Sequence, residues 1–189
     1  MVTSAQPWDG KSTVAVNLAI NIAQGINEYV ILADCDLRRP SLDTSLGLNV
    51  SEGIREYLEE GTSVAPYLMK TPVKKLTLLP AGKPPSKPSE LLSSEKMRLL
   101  LQELKNRYED RYLILDCTPA QFGAETMLLA SMVDSVLLVV RAGRTNKDML
   151  LEAIDNIGRE RILGLIFNAC DEIPKGYSYY NRYYGKAQR

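Results

Sequence analysis

The stretch that most constrains this chain is Ser4-Ala5-Gln6-Pro7-Trp8-Asp9-Gly10-Lys11-Ser12-Thr13. It follows Met1-Val2-Thr3, which reads as the tail end of a strand. It runs into a segment with Val14, Ala15, Leu18, Ala19 and Ile22 at helical spacing. A glycine, a lysine and two hydroxyls between a strand end and a helix start form the arrangement of a phosphate-binding loop. Backbone N–H groups and the positive end of the helix attract a polyphosphate there. Lys11 is suited to neutralise β- and γ-phosphate charge, and the Ser12 hydroxyl to ligate Mg²⁺. Pro7, Asp9, Gly10 and Thr13 complete the expected nucleotide-binding stretch. The usual pattern has a further glycine five positions before Gly10, and Ala5 stands there instead.

A loop of this kind needs a sheet behind it, and the rest of the chain supplies the pattern. Apolar runs at Tyr29–Ala33, Leu76–Leu79, Tyr112–Leu115, Val136–Val140 and Ile162–Phe167 read as strands. Their Val, Ile and Leu content, apolar on both faces, suits parallel strands covered by helices on each side. Helical spacing recurs over Ser12–Gln24, Ser89–Tyr108, Thr126–Val133 and Lys147–Ile157. The alternation predicts an α/β fold, a doubly wound, mostly parallel sheet with helices on both faces. The proline-rich connector Ala81–Ser89 reads as a surface loop or a lid. One domain over residues 1–174 and a distinct tail over 175–189 account for all 189 residues.

Composition excludes several classes. With 23 basic and 23 acidic side chains the net charge is +0, which argues against a duplex DNA binder and for no nucleic-acid partner. The chain has no histidine, so His-based triads and most zinc sites are excluded. Cys35, Cys117 and Cys170 lack metal spacing and sit in or beside apolar runs, so buried free thiols in a reducing compartment are expected. No apolar run spans a bilayer, and any membrane link is expected to come through a partner.

Three further segments bring polar groups to strand ends, where ligands bind in open α/β sheets. In Ile31-Leu32-Ala33-Asp34-Cys35-Asp36-Leu37-Arg38-Arg39-Pro40, two carboxylates stand two residues apart. Asp34 is suited to hold a Mg²⁺-bound water or act as a base, and Asp36 to orient it. Tyr112-Leu113-Ile114-Leu115-Asp116 is an apolar strand closed by one acid, the arrangement in which a carboxylate helps hold the metal. Asn168, at the end of the last run, can read an adenine edge or be an ordinary turn residue. Lys11, Asp34, Asp36 and Asp116 thus form the candidate catalytic set, with Ser12, Asp34 and Asp116 as candidate metal ligands. Phosphoryl transfer needs such positioning and charge neutralisation more than covalent chemistry.

The tail, Lys175-Gly-Tyr-Ser-Tyr-Tyr-Asn-Arg-Tyr-Tyr-Gly-Lys-Ala-Gln-Arg189, carries Tyr177, Tyr179, Tyr180, Tyr183 and Tyr184, five of the chain's 10 tyrosines. The loop, the DxDxRRP block, the LILDCTPA strand, the proline-rich connector and this tail together resemble the bacterial tyrosine kinases. Those are the cytoplasmic ATPase domains of polysaccharide co-polymerases, within the P-loop NTPases. The resemblance implies that ATP and Mg²⁺ are used, with Lys11 and Ser12 or Thr13 in the phosphate loop. It implies that Asp34 and Asp36 match the family's second Walker motif and Asp116 its Walker B acid, and that the five tail tyrosines are phosphoacceptors on neighbouring subunits of a homo-oligomer. It also implies a transmembrane activator at the inner membrane and a role in capsule or exopolysaccharide production.

Two departures from the family carry expectations. Its loop reads PGEGKS, and Trp8 here replaces a glycine, which implies weakened nucleotide binding or turnover unless the indole points outward. The family also has a preceding helical stretch with an arginine-containing motif, so a start at the first strand implies an N-terminally short chain and counts against ring assembly. Two rival readings fit parts of the pattern: a catalytically weak nucleotide-binding scaffold, and a partition-type ATPase. The latter class carries a second lysine early in the loop, where this chain has Gln6.

Overall fold

The computed structural model describes residues 1–107 and 110–170. In chain order its elements are β1 (Val2–Ser4), α1 (Lys11–Ala23), β2 (Tyr29–Cys35), α2 (Leu42–Ser45), α3 (Ile54–Glu59), β3 (Met69–Lys70) and β4 (Leu76–Leu79). Then follow α4 (Pro88–Leu92), α5 (Glu95–Arg107), β5 (Arg111–Cys117), α6 (Ala124–Met132), β6 (Val136–Arg141), α7 (Lys147–Ile157) and β7 (Ile162–Asn168). The strands form one seven-stranded sheet in the order β3-β4-β2-β5-β1-β6-β7. All pairings are parallel except that of the two-residue β3 with β4.

The two faces of the sheet follow from the period-2 alternation of strand side chains. On β2, Ile31, Ala33 and Cys35 pack into a core with Ile54, Leu58, Leu92, Met97, Leu100 and Leu104 from α3, α4 and α5. Val30 and Leu32 point the other way, into a core with Ala15, Ala19 and Ala23 of α1 and Leu42 of α2. Asp34 shares the parity of Val30 and Leu32, and Asp116 that of Ile114, so both acids belong to the α1 side. Their strands are in register, Asp34 beside Asp116 and Cys35 beside Cys117. A third core, with Leu138, Ala130, Ala153 and Ile157, seats α6 and α7 against β6.

Alanine at every fourth position of α1 lets the helix lie close to the sheet. Ala15, Ala19 and Ala23 are at most 2% exposed. This close seat puts the start of α1 over the carboxyl ends of β1 and β5.

Several expectations need correction. Ser89–Tyr108 is two helices within the described residues, α4 and α5, because Ser93 and Ser94 break the ladder. The Ser93 hydroxyl donates to Ser89 O at 2.7 Å and the Ser94 hydroxyl to Leu91 O at 2.7 Å, while Ser94 Oγ accepts from the Met97 N–H. Hydroxyls that bond nearby backbone offer the chain an alternative to helix. Cover on both faces fails at β7, an edge strand whose Leu163, Leu165 and Phe167 are exposed at alternate positions. Cys35 and Cys117 are buried free thiols, but Cys170, two residues past the end of β7, is exposed. The connector is pinned at its start: Ile54 N–H donates to Pro80 O at 2.8 Å and Arg55 N–H to Ala81 O at 2.9 Å. Gly53 permits that approach, since a Cβ there would lie 2.0 Å from Pro80 O.

The packing of α1 makes a sharp prediction. Ala19→Leu adds three carbons where no space exists and is expected to cost about 1–3 kcal/mol. Urea unfolding should show the midpoint falling with the slope unchanged, and a variant as stable as the wild type would refute the close seat.

Candidate functional site

The loop between β1 and α1 opens on a cavity of about 780 Å³, lined by Pro7, Trp8, Gly10, Lys11, Ser12 and Thr13 on one side. The other side comes from the segments after β2 and β5, including Asp36, Arg38, Thr118 and Phe122. Gly10 caps α1 in a left-handed conformation, φ 94°, which suits glycine. No side chain caps the helix and its first turn holds no acid, so the leading N–H groups and the positive helix end remain available to an anion.

Lys11 lies at the centre. Its ammonium is 2.9 Å from Asp36 Oδ2 and 3.6 Å from Asp116 Oδ1, and it donates to the Ser12 hydroxyl at 3.1 Å. Burial opposes the charge on Lys11, but Asp116 and Asp36 outweigh it and hold the pKa above its ordinary value. Asp36 is fixed from its other oxygen, which accepts the Arg39 N–H at 3.1 Å. Asp116 is fully buried; the Lys11 ammonium, at 3.6 Å, and the Ser12 hydroxyl face it, but neither closes to full hydrogen-bonding geometry. Burial raises its pKa, against the pull of Lys11 and of the Ser12 hydroxyl. An ion pair without hydrogen bonds under-satisfies a buried carboxylate. A hard cation is the partner such oxygens fit, and Mg²⁺ commonly takes only one or two carboxylates from the protein alongside substrate phosphates.

Asp34 is placed differently from its neighbours. One oxygen accepts the Asp36 N–H at 3.1 Å, and the other accepts the Ser41 and Leu42 N–H groups at 3.0 and 3.1 Å. The carboxylate thus shapes the turn after β2 that delivers Asp36. Burial and the charge of Asp116 push its pKa up to about 7, against these three amides.

The loop is braced from distant elements. Asp9 is buried and accepts from the Thr145 hydroxyl at 2.8 Å and from its own loop's Gln6 N–H at 3.3 Å. Burial raises its pKa, with these two donors working against it. The Asn168 amide donates to Asp9 O at 2.8 Å, and a Cβ on Gly10 would meet its Nδ2 at 2.0 Å. Asn168 therefore holds the loop backbone rather than standing free at a strand end. Arg141 donates to Trp8 O at 3.0 Å. Trp8 has a positive φ of 69°, a strain of order 1 kcal/mol for a residue with a Cβ. The residue is 68% exposed while still lining the cavity, so the indole stands at the rim and does not plug the loop.

The site thus brings together Pro7, Asp9, Gly10, Lys11, Ser12, Thr13, Asp36 and Asp116, with Asp34 and Asn168 behind them. The five tail tyrosines lie outside the described residues. Sequence reading assigned no role to Thr145, Arg141, Phe122 or the Arg38–Glu125–Ser89 cluster. In that cluster the Arg38 guanidinium reaches buried Glu125 at 3.2 Å and the Ser89 hydroxyl at 2.8 Å, and Ser89 donates to Glu125 at 3.1 Å. Only Arg38 carried a signal, through the DxDxRRP block.

A glycine-capped helix start facing strand-end acids on a doubly wound sheet defines the P-loop nucleotide-binding fold. Residues 9–161 match the family model described as an AAA domain. Tyrosine-protein kinase YwqD of Bacillus subtilis is 34% identical over 170 residues, 89% of this chain and 70% of that protein. The crystal structure of the VpsO kinase domain superposes with a TM-score of 0.81 at 33% identity, over 89% of this chain and 83% of that one. The chain belongs to the bacterial tyrosine-protein kinases. A more distant likeness, to the septum site-determining protein MinD of Pyrococcus horikoshii, has a TM-score of 0.72 at 19% identity over 94% of this chain and 74% of that one, and is one of fold alone.

The paired acids predict an unusual pH dependence. Unfolded, Asp34 ionises near 3.8; folded, it ionises near 7. Between those values the folded state holds a proton that the unfolded state has released, so stability falls as pH rises through that window. Asp116 shifts in the same direction. Asp116→Asn removes that shift and its repulsion of Asp34. In urea unfolding without nucleotide or metal, the variant should lose less stability than wild type between about pH 4 and about pH 7; an equal loss would refute the coupling.

Proposed function

We propose that this chain transfers the γ-phosphoryl group of Mg-ATP to tyrosine, with its own tail tyrosines as acceptors. The observation that carries the reading is the Lys11 ammonium held between Asp36 and Asp116 at the uncapped start of α1. In this reading the loop N–H groups and Lys11 bind the phosphates. Ser12 and Asp116 would hold Mg²⁺, which supplies charge neutralisation at the transferring group. Asp36, at the cavity wall, is better placed than sealed Asp34 to orient or take the tyrosyl proton. Asp34 then serves by shaping the turn that delivers Asp36.

The wider setting follows from the resemblance: a capsule or exopolysaccharide system, a transmembrane co-polymerase as activator, and a position at the cytoplasmic face of the inner membrane. No helix among the described residues is long and apolar enough to cross a membrane, which is compatible with attachment through that partner. Assembly of several copies, so that one tail meets the next site, belongs to the same proposal. The catalytically weak scaffold is favoured by one observation, the strained Trp8 in the loop.

Labelled ATP with the purified full chain and Mg²⁺, alone and with its membrane partner, decides between them. Label is expected on Tyr177, Tyr179, Tyr180, Tyr183 or Tyr184. Lys11→Met and Asp36→Asn should each lower transfer by about 10²–10³, as for removal of a preorganised charge. Absence of tyrosine label in both conditions would overturn the kinase reading for this chain.

A further inference from the structure

Trp8 is hard to explain by folding. It is the chain's one tryptophan, it stands where its loop adopts a positive φ, and two thirds of its surface faces solvent. Burial of the indole therefore does little to offset the strain. Strained backbone that packing does not repay is a feature of binding sites. Phe122, in the segment after β5, is likewise 53% exposed and lines the same cavity. Pro7, Pro40 and Pro119 add apolar surface to the same cavity wall. An apolar rim around a charged floor of Lys11 and Asp36 is the composition of a site for a ring with a polar tip.

We propose that Trp8 and Phe122 form an aromatic clamp for the tyrosyl side chains of Lys175–Arg189, and so select the phosphoacceptor. This rests on the kinase reading above. The cavity runs from the phosphate loop toward Asp36, Arg38 and Thr118, the side of the loop where β2 and β5 end. Asn168 and the ends of β6 and β7 are not part of its wall. The clamp therefore stands with the carboxylate proposed to meet the tyrosyl hydroxyl. The segment suits it: five tyrosines stand among Lys175, Arg182, Lys186 and Arg189 with no acid, a basic strip matched to a bound polyphosphate. The backbone at Trp8 is held by the Arg141 guanidinium, which donates to its carbonyl.

The test uses the full chain with its five tail tyrosines replaced by serine, and a synthetic Lys175–Arg189 peptide as acceptor. Trp8 is the sole tryptophan, so its emission reports on this site alone. The peptide is expected to shift that emission in the presence of Mg-ADP, and a peptide with all five tyrosines changed to serine is not. Trp8→Gly and Phe122→Ala should each raise the acceptor KM by about three- to tenfold, the size of one aromatic contact, without raising the KM for ATP in step. Trp8→Phe should restore most of the loss. Equal emission with both peptides and an unchanged acceptor KM in both variants would overturn the clamp. So would an emission change produced by ATP but not by inorganic triphosphate, since the ring would then serve the base. A peptide that shifts Trp8 emission but is never phosphorylated would leave the clamp standing and sink the kinase reading.

Discussion

One ammonium between two buried carboxylates, at the positive end of a helix, is the constraint around which this molecule is arranged. Lys11 can reach Asp36 and Asp116 only because α1 lies close over the sheet and because β2 and β5 run parallel in register. Each carboxylate alone would be costly at that depth, and together they would repel. The lysine makes the arrangement tolerable without completing it, since at 3.6 Å it stands short of full hydrogen-bonding geometry to Asp116. An arriving polyphosphate competes with these acids for the same ammonium. A site built this way is under-satisfied in positive charge by design, which is the state from which a metal–phosphate ligand gains most.

The loop around that lysine is held from outside. Thr145 fixes the Asp9 side chain, Asn168 the Asp9 carbonyl and Arg141 the Trp8 carbonyl, and all three come from more than 130 positions away. They belong to β6, β7 and the turn between β6 and α7, so the phosphate loop is clamped against the strands beyond β1. That explains how Trp8 and Gly10 both stay at positive φ. Local strain persists where the surroundings over-determine it.

Much of this was legible in the residues. The period of the apolar runs predicts the strands, and the Gly-Lys-Ser-Thr turn predicts the helix start that anchors the site. The two acidic strand ends announce carboxylates near a phosphate. The division of labour between those acids was not legible. Asp34 and Asp36 are both aspartates near a strand end, yet one accepts three amides inside a turn and the other faces a cavity. Nor did a helical pattern over Ser89–Tyr108 reveal that two adjacent serines would divide it. The signal there is hydrogen bonding by hydroxyls, which carries no apolar period. Glu125 was invisible for a similar reason: a lone glutamate at a helix start reads as solvent-facing until Arg38 and Ser89 close over it.

The sequence by itself determined the alternation of strands and helices, the chemistry of the phosphate loop and the presence of acids at strand ends. These depend on near neighbours and on periodicity, both of which a linear chain records. The tertiary structure decided which acid meets Lys11, that the amide of Asn168 supports the loop, and that Trp8 stands exposed at the cavity rim. Those outcomes depend on groups brought together across the sheet. Their energies arise from burial and charge proximity, which exist only once the chain has closed on itself.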